Sequence, residues 1–209
     1  MKYIFTAFVV FIVVLFIVCV MSPPIVESTG KESRFVLESS IENVLSALRK
    51  EDTLKEIMVK NGIEVLDEQT IDKNFKLKRL RKPMAWDFQS ESLATIKVIE
   101  DGSIMKVRQH VAADQDSIEV NIVLEQRTWA LSDFRNSMRF ERYGDKTLVR
   151  SYIFVEANPQ MPGLSIVRKI AKEKVTESVD KATLDNERTL KDVLQRKTSH
   201  RPLFNWRFR

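Results

Sequence analysis

Apolar residues first form one uninterrupted run and then recur with the periods of helices and strands. Residues 3–21, YIFTAFVVFIVVLFIVCVM, contain no charged side chain. As an α-helix this run measures roughly 28 Å, close to a bilayer's hydrocarbon thickness of about 30 Å. A cleaved signal peptide is the alternative, but its apolar region spans about 7–15 residues and ends at a small-residue site, which SPPIVE lacks. We therefore expect residues 1–21 to be a retained transmembrane anchor.

Charges around the apolar run give its orientation. Lys2 lies before the run, whereas Lys31 and Arg34 lie some distance beyond it. Positive residues favour the cytoplasmic side, although this count discriminates little. The expectation is an N-terminus inside, a single membrane pass, and a folded domain on the non-cytoplasmic side.

A linker is predicted between the anchor and the first periodic segment. Residues 22–33 collect Pro, Ser, Thr and Gly, and Pro23 and Pro24 cannot continue a membrane helix. The strand-like RFVLES follows, so the folded domain is expected to begin at Arg34.

Two short helices are predicted next. Ser39, followed three residues later by Glu42, resembles a capping box that opens IENVLSALRK as a helix. Asp52 is expected to cap a second helix, TLKEIMVKN, which ends at Gly62 because glycine accepts the left-handed conformation common after helices.

From Ile63 onward the period becomes two, which indicates strands. SIEVNIVLEQ puts four apolar residues on one face: Ile118, Val120, Ile122 and Leu124. Hairpin turns are predicted at Asp101-Gly102 and Gly144-Asp145, since both need positive backbone angles. The pattern predicts six or seven antiparallel strands connected as a meander.

A long amphipathic helix is predicted after the break at Pro162-Gly163. Apolar residues recur there at spacings of three and four: Val167, Ile170, Ala171, Val175, Val179 and Ala182. An antiparallel sheet with one apolar face must cover that face. This last helix is the only long apolar-striped partner in the sequence.

The order of elements resembles the helix-grip fold of the START-like or SRPBCC superfamily, which includes polyketide cyclase-like proteins and the birch-pollen allergen type. The carriers are FVLESSIENVLSALRKEDTLKEI and RFERYGDKTLVRSYIFVEANPQMPGLSIVRKI, within residues 34–197. The chain departs from many members in lacking Ala-Pro before the first helix. The resemblance implies an α+β fold: a curved antiparallel meander sheet, with two short helices, gripping a long C-terminal helix. In many relatives the cavity between them holds a lipid, sterol or other apolar molecule.

Candidate cavity residues follow from strand alternation, the helix stripe and side-chain size. On strand MKVRQHV, Val107 and Gln109 should face inward, with Lys106, Arg108 and His110 outward. Gln109 is a candidate for orienting a ligand's polar group, with core hydrogen bonding as the alternative. The predicted set is Val107, Gln109, Val120, Ile122, Trp129, Tyr152, Val167, Ala171 and Val175, of which the aromatic members are open to a plain core role.

No constellation in the sequence points to catalysis, a metal or a cofactor. His110 is interpreted as a solvated residue on the polar strand face. The other histidine, His200, lies near the C-terminus, and the single cysteine, Cys19, lies in the apolar run, so no His- or Cys-based metal centre is expected. The formal charge of +5, from 34 basic and 29 acidic residues, is too thinly spread to predict nucleic-acid binding.

The C-terminal tail, residues 198–209, combines aromatic and basic side chains. It is suited to a membrane interface or to a groove on an acidic partner, and a solvated end is the alternative. The predicted contact residues are Arg201, Phe204, Trp206, Arg207, Phe208 and Arg209.

Two functions remain open. The first is a membrane-tethered START-like module that binds a lipid or another apolar ligand near the bilayer. The alternative is a non-catalytic accessory or assembly subunit of a larger membrane protein complex, docked through the anchor and the tail; an enzyme ranks third. An apolar cavity of about 300 Å³ or more would favour ligand binding, and large side chains filling the grip would favour the subunit.

Overall fold

The computed structural model describes residues 26–78, 85–128, 131–157 and 165–199. The predicted anchor, Trp129 and the C-terminal contact residues lie outside these ranges. The strands are β1 Glu27–Leu37, β2 Ile63–Lys78, β3 Ala85–Val98, β4 Ile104–Asp114, β5 Ser117–Leu124, β6 Leu131–Tyr143 and β7 Lys146–Ala157. The helices are α1 Ile41–Leu48, α2 Glu51–Lys60 and α3 Ser165–Ser199. Within the described ranges, none of the helices has the length and apolar character needed to cross a membrane.

The strands form one antiparallel sheet of seven strands in the order β1-β7-β6-β5-β4-β3-β2. From β2 to β7 each strand pairs with the next along the chain, and β1 pairs with β7. The short helices α1 and α2 connect β1 to β2, and the long helix α3 packs mainly on β1 and β7. This is the helix-grip arrangement, with the α+β composition expected from the sequence.

The predicted turns agree with the structure. Gly102, between β3 and β4, and Gly144, between β6 and β7, have φ values of +72° and +64°. Gly62, with φ +73°, follows the end of α2. An L-residue with a side chain rarely adopts these angles, which is why glycine marks the turns in the sequence.

The predicted helix caps differ from those observed. Ser40, in extended conformation, is the N-cap of α1, and its side chain makes no capping hydrogen bond. Ser39 is instead buried, and its carbonyl accepts a 2.7 Å hydrogen bond from the Thr147 hydroxyl. The N-cap of α2 is Lys50, so Asp52 lies inside the first helical turn. The buried hydrogen bond of Ser39 to Thr147 is a long-range contact, which a local capping motif does not reveal.

The predicted linker is partly strand. β1 begins at Glu27 and pairs with β7 from there onward, so residues 27–33 belong to the sheet and not to a linker. The polar composition of residues 27–33 did not indicate a strand. These residues form a strand because they pair with the backbone of β7 and contact charged residues of α3. Lys31, for example, contacts Asp180 of α3 at 2.6 Å.

The predicted apolar stripe of α3 coincides with the buried face of the helix over only part of its length. Val179 is buried, but Ile170 is 53% exposed and Ala182 is also exposed. The buried face continues instead through Thr183, Asn186, Thr189, Leu190, Val193 and Leu194. Polar residues occupy part of this face because they form hydrogen bonds there, and a search for apolar spacing passes over them.

Buried apolar residues form two separate clusters. The larger cluster joins α1 and the C-terminal half of α3 to β1, β5, β6 and β7, and includes Leu37, Val44, Phe140 and Leu194. The smaller cluster lies on β3 and β4 and consists of Ala94, Ile96, Met105 and Val107. The space between them is the cavity described next.

Candidate ligand-binding cavity

A cavity of about 660 Å³ lies between the inner face of the sheet, α1, α2 and α3. Strands β2 to β6 supply one wall, α1 and α2 another, and Asn186 and Leu190 of α3 close a third side. The wall takes residues from both apolar clusters, including Phe140 from the larger and Val107 from the smaller. Because side chains from five strands and three helices face one space, the sheet must curve around it.

The sheet wall of the cavity is made of rows of residues that pair across neighbouring strands, and the rows differ in polarity. The row Phe88–Ala113–Ile118–Phe140 is apolar throughout. Two rows further along, Gln109 of β4 pairs with Ile122 of β5, which pairs with Asn136 of β6. Neighbouring strands lie about 4.8 Å apart, so the two amide-bearing positions stand about 10 Å apart across Ile122. The middle of the wall is therefore polar at two points.

A chain of amides enters the cavity from the helix side. The Asn61 side-chain NH₂, just after α2, donates to Oδ1 of Asn186 at 3.1 Å. Asn186 in turn donates from Nδ2 to Oγ of Ser151 at 3.1 Å and contacts Sδ of Met138 at 3.9 Å. These contacts tie α3 to the end of α2 and to β6 and β7. They also account for a buried asparagine in the middle of an otherwise apolar interface.

Two positively charged side chains line the cavity where it meets solvent. Arg49 lies between α1 and α2, and Lys73 lies on β2, on the inward side opposite Ser90. Both residues are exposed, and so is Leu54 of α2 beside them, at 39%. The entrance thus carries two basic side chains and one apolar side chain, whereas the interior is apolar with amide groups.

The structure brings four of the predicted cavity residues together. Val107, Gln109, Val120 and Ile122 line the wall. The outward assignment of His110 also agrees with the structure, because this residue is exposed and pairs with Glu91 and Asn121.

Tyr152 does not belong to the cavity. It is 42% exposed and lies on the opposite face of β7, because its neighbours Ser151 and Ile153 are the inward, buried residues. Its ring covers Gly30 of β1, where any Cβ would collide with the phenol. Size suggested a pocket residue, but alternation along β7 decides the side.

The predicted α3 residues also lie elsewhere. Ala171 and Val175 are half-buried and do not line the cavity. The α3 side chains are described from Lys169 onward, which leaves the Val167 side chain outside the described part. The cavity meets α3 about three turns beyond Val175, at Asn186 and Leu190.

Several residues of the cavity wall were not predicted from the sequence. Leu45, Leu48 and Met58 of the short helices line the cavity because α1 and α2 fold over the sheet, a long-range arrangement. Asn136 is different, since the alternation in FRNSMRF places it on the face of Met138 and Phe140. That signal was available in the sequence.

One group of ion pairs lies on the outer sheet face. Arg108 contacts Glu91 at 2.7 Å and Glu125 at 2.9 Å, and its hydrogen bond holds the pKa of Glu125 below the ordinary value. No group of three or more metal-ligating side chains occurs within the described residues. Arg108, Glu91 and Glu125 do not line the cavity.

Comparisons with known proteins found similar solved structures but no similar sequence family. No protein-family model and no curated protein matches the sequence. The di-domain aromatase/cyclase StfQ from the steffimycin biosynthetic pathway is similar, with a TM-score of 0.49, 13% identity and coverage of 83% of this chain and 53% of StfQ. The chain thus spans about half the length of StfQ.

Two further solved structures are similar at the same level. A protein of unknown function from Staphylococcus aureus has a TM-score of 0.49, 12% identity and coverage of 83% of this chain and 98% of that one. Norcoclaurine synthase from Thalictrum flavum has a TM-score of 0.47, 9% identity and coverage of 85% and 90%. At these identities and TM-scores the likeness carries no argument about function, which has to be argued from the cavity.

Proposed function

We propose that this protein is a membrane-tethered helix-grip module that binds an apolar small molecule or lipid in its cavity near the bilayer. The observation that carries the proposal is the 660 Å³ cavity between the two apolar clusters. Its volume lies within the about 300–1,000 Å³ typical of small-molecule sites.

The wall chemistry supports binding over catalysis. The described wall residues include amides, one serine and two cations at the entrance, but no carboxylate, imidazole or thiol. Acid-base catalysis most often uses such groups, and a serine or lysine nucleophile most often needs an adjacent base. Ser90 has no carboxylate or imidazole beside it among the described wall residues, and Lys73 lies at the exposed entrance. A mostly apolar wall with a few fixed polar groups is typical of a site that binds a small molecule.

The tether rests on the uncharged run of residues 3–21, which lies outside the described residues. β1 begins at Glu27, only a few residues beyond the run, so the domain would stay close to the membrane. A bound apolar molecule would then travel a short distance between bilayer and cavity. The non-cytoplasmic side is the proposed location, from the charges around the run.

Native mass spectrometry of the full-length protein in mild detergent tests the proposal. We expect a small apolar molecule bound to the wild type, and its loss in Val120→Trp, which fills the cavity from β5. His110→Trp is the matched control, because the same side chain then stands on the outer sheet face. Val120→Trp protein that keeps its ligand would contradict the assignment of the cavity.

The same measurement addresses the accessory-subunit function, which the aromatic and basic composition of residues 201–209 favours. A wild type that carries no small molecule but co-purifies with other membrane proteins would replace ligand binding with that function. In that case filling the cavity with Val120→Trp should leave the co-purifying proteins unchanged.

A further inference from the structure

The β2–β3 hairpin extends beyond the end of the strand next to it. Its two strands remain paired as far as Lys78 and Ala85. The neighbouring strand β4 ends at Asp114, which pairs with Asp87 of β3. The last two residue pairs of the hairpin therefore lie beyond the end of β4. Because β2 is also the last strand in the sheet order, this part of the hairpin is an edge of the molecule.

An exposed phenylalanine lies on the inner face of this hairpin. Phe75 pairs with Phe88, and residues paired across two strands share one face of the sheet. Phe88 lines the cavity, and so does Lys73, two residues before Phe75 and about 7 Å away along β2. Phe75 itself is 57% exposed. The apolar wall of the cavity therefore continues past its rim onto a surface in contact with solvent.

This part of the sequence is also strongly basic. Residues 73–86 contain six basic residues and no acidic one. The preceding acidic residue, Asp72, pairs with Glu91 and so lies on the outer face of the sheet. A basic segment with exposed aromatic residues has the composition of proteins that bind anionic lipid headgroups, since it combines electrostatic attraction with interfacial burial.

Two further observations favour a bilayer over an acidic protein or a second copy of the chain. First, the rim of the cavity is apolar on its helix side as well, because Leu54 of α2 lines the cavity and is 39% exposed. Second, the uncharged run of residues 3–21 ends five residues before Val26, where the described domain begins. Five residues span at most about 18 Å, so an anchor formed by this run would hold the domain beside the membrane.

We infer that the β2–β3 hairpin binds the surface of an anionic bilayer, with Phe75 inserted among the headgroups and the basic residues against lipid phosphates. This inference rests on the proposed function and specifies how the ligand enters. The rim of the cavity then meets the bilayer directly. An apolar molecule moves between bilayer and cavity along Phe75 and Phe88 without crossing water.

Spin labelling of the full-length protein in lipid nanodiscs tests the contact. Cys19→Ser removes the native thiol, and Asn74→Cys then carries a nitroxide next to Phe75. Ile104→Cys is the matched control, because Ile104 is 57% exposed and pairs with Lys97 at the other end of β3. Power saturation with oxygen and a water-soluble nickel complex measures the depth of each label. The nanodiscs consist of phosphatidylcholine, with or without phosphatidylglycerol.

We expect the label at position 74 to lie at headgroup depth in nanodiscs that contain phosphatidylglycerol, and the label at position 104 to lie in water. Phe75→Ser should return the label at position 74 to water, whereas Phe75→Leu, which keeps an apolar side chain, should preserve its depth. High salt should weaken the contact, because salt screens the attraction between basic residues and anionic lipids.

A photoreactive alkane with a diazirine, delivered in the same nanodiscs, measures entry into the cavity. Crosslinks mapped by mass spectrometry should lie on the cavity wall of the wild type. Phe75→Ser should slow their appearance about tenfold, because the interfacial burial of the phenylalanine is lost. The final yield should be unchanged, since Phe75 is not among the residues that line the cavity. Circular dichroism of each variant verifies the fold.

The results distinguish failure of the contact from failure of ligand binding. A label at position 74 that stays in water in both lipid mixtures would refute the bilayer contact, even where crosslinks in the cavity uphold the proposed function. Spin–spin broadening at position 74 in detergent would mean that a second copy covers the hairpin, and equal depths at positions 74 and 104 would mean that the hairpin is not preferred. Either result overturns the inference. Absence of crosslinks in the cavity at all times would refute the proposed function itself.

Discussion

Ser33 on β1 donates a 2.6 Å hydrogen bond to the carboxylate of Glu187 on α3. Lys191, one turn further along the helix, contacts the same carboxylate at 2.7 Å. Together with the ion pair of Lys31 and Asp180, this joins the edge strand to the helix through polar groups. The grip on α3 therefore combines apolar burial at one end with polar contacts along β1.

The Glu187 contact predicts acid sensitivity. Hydrogen bonds from Lys191, and secondarily from Ser33, hold the pKa of Glu187 below its usual 4.5. The unfolded chain therefore binds this proton more readily, so the contribution is complete above about pH 4.5 and is lost as pH falls through the folded-state pKa. We expect the wild type to lose about 1 kcal/mol more than Glu187→Gln between pH 7 and pH 3, by urea unfolding.

Glu173→Gln, on an exposed part of the same helix, is the matched control and should retain the wild-type pH dependence. Parallel pH profiles for the wild type and Glu187→Gln would show that the contact contributes nothing to stability.

The phase of α3 is tested by one substitution at two positions. Leu190 is 1% exposed and Leu184 is 59% exposed, although both lie in the same part of the helix. Leu190→Ala should lower the free energy of unfolding by about 2–5 kcal/mol, because it removes buried methyl groups and leaves a void. Leu184→Ala should change it by less than about 0.5 kcal/mol. Similar losses in thermal unfolding would mean that α3 is rotated about its axis.

The start of the folded domain is tested by two shortened chains. Residues 26–199 retain all of β1, whereas residues 34–199 lose its first part with Lys31 and Ser33. We expect the longer chain to leave the membrane fraction and to show a mixed helix and strand spectrum. The shorter chain should unfold at lower urea concentration, because β7 and α3 lose partners. Equal urea midpoints for the two chains would mean that residues 27–33 behave as a linker. An all-helical circular dichroism spectrum would refute the fold.

Substitutions in the aromatic and basic tail distinguish a membrane contact from a protein contact. If it binds a protein groove, Trp206→Ala should release co-purifying proteins without changing liposome binding, since aromatic anchors dominate such interfaces. If it binds anionic headgroups, Arg201, Arg207 and Arg209 should contribute about 1 kcal/mol each, and binding should fall with salt. We favour the groove, because three arginines make a small footprint for a membrane. Deletion of residues 201–209 without effect on either readout would leave a solvated end.

Local patterns were sufficient to predict most elements of the fold. Alternation in SIEVNIVLEQ identified β5 and its cavity-facing side, and glycine at positions 62, 102 and 144 marked the turns. The order of strands and helices indicated the helix-grip arrangement. These features depend on backbone angles and on periodicity within one segment, which neighbouring residues in the chain largely determine.

Tertiary packing decided what those patterns left open. Residues 27–33 are strand because β7 offers hydrogen-bonding groups to them, and α3 buries Asn186 in place of Ala182 because Ser151 and Asn61 lie against that face. The cavity exists only where α1, α2 and α3 meet the curved sheet. Such features depend on contacts between residues far apart in the chain, whose free energies the local sequence does not contain.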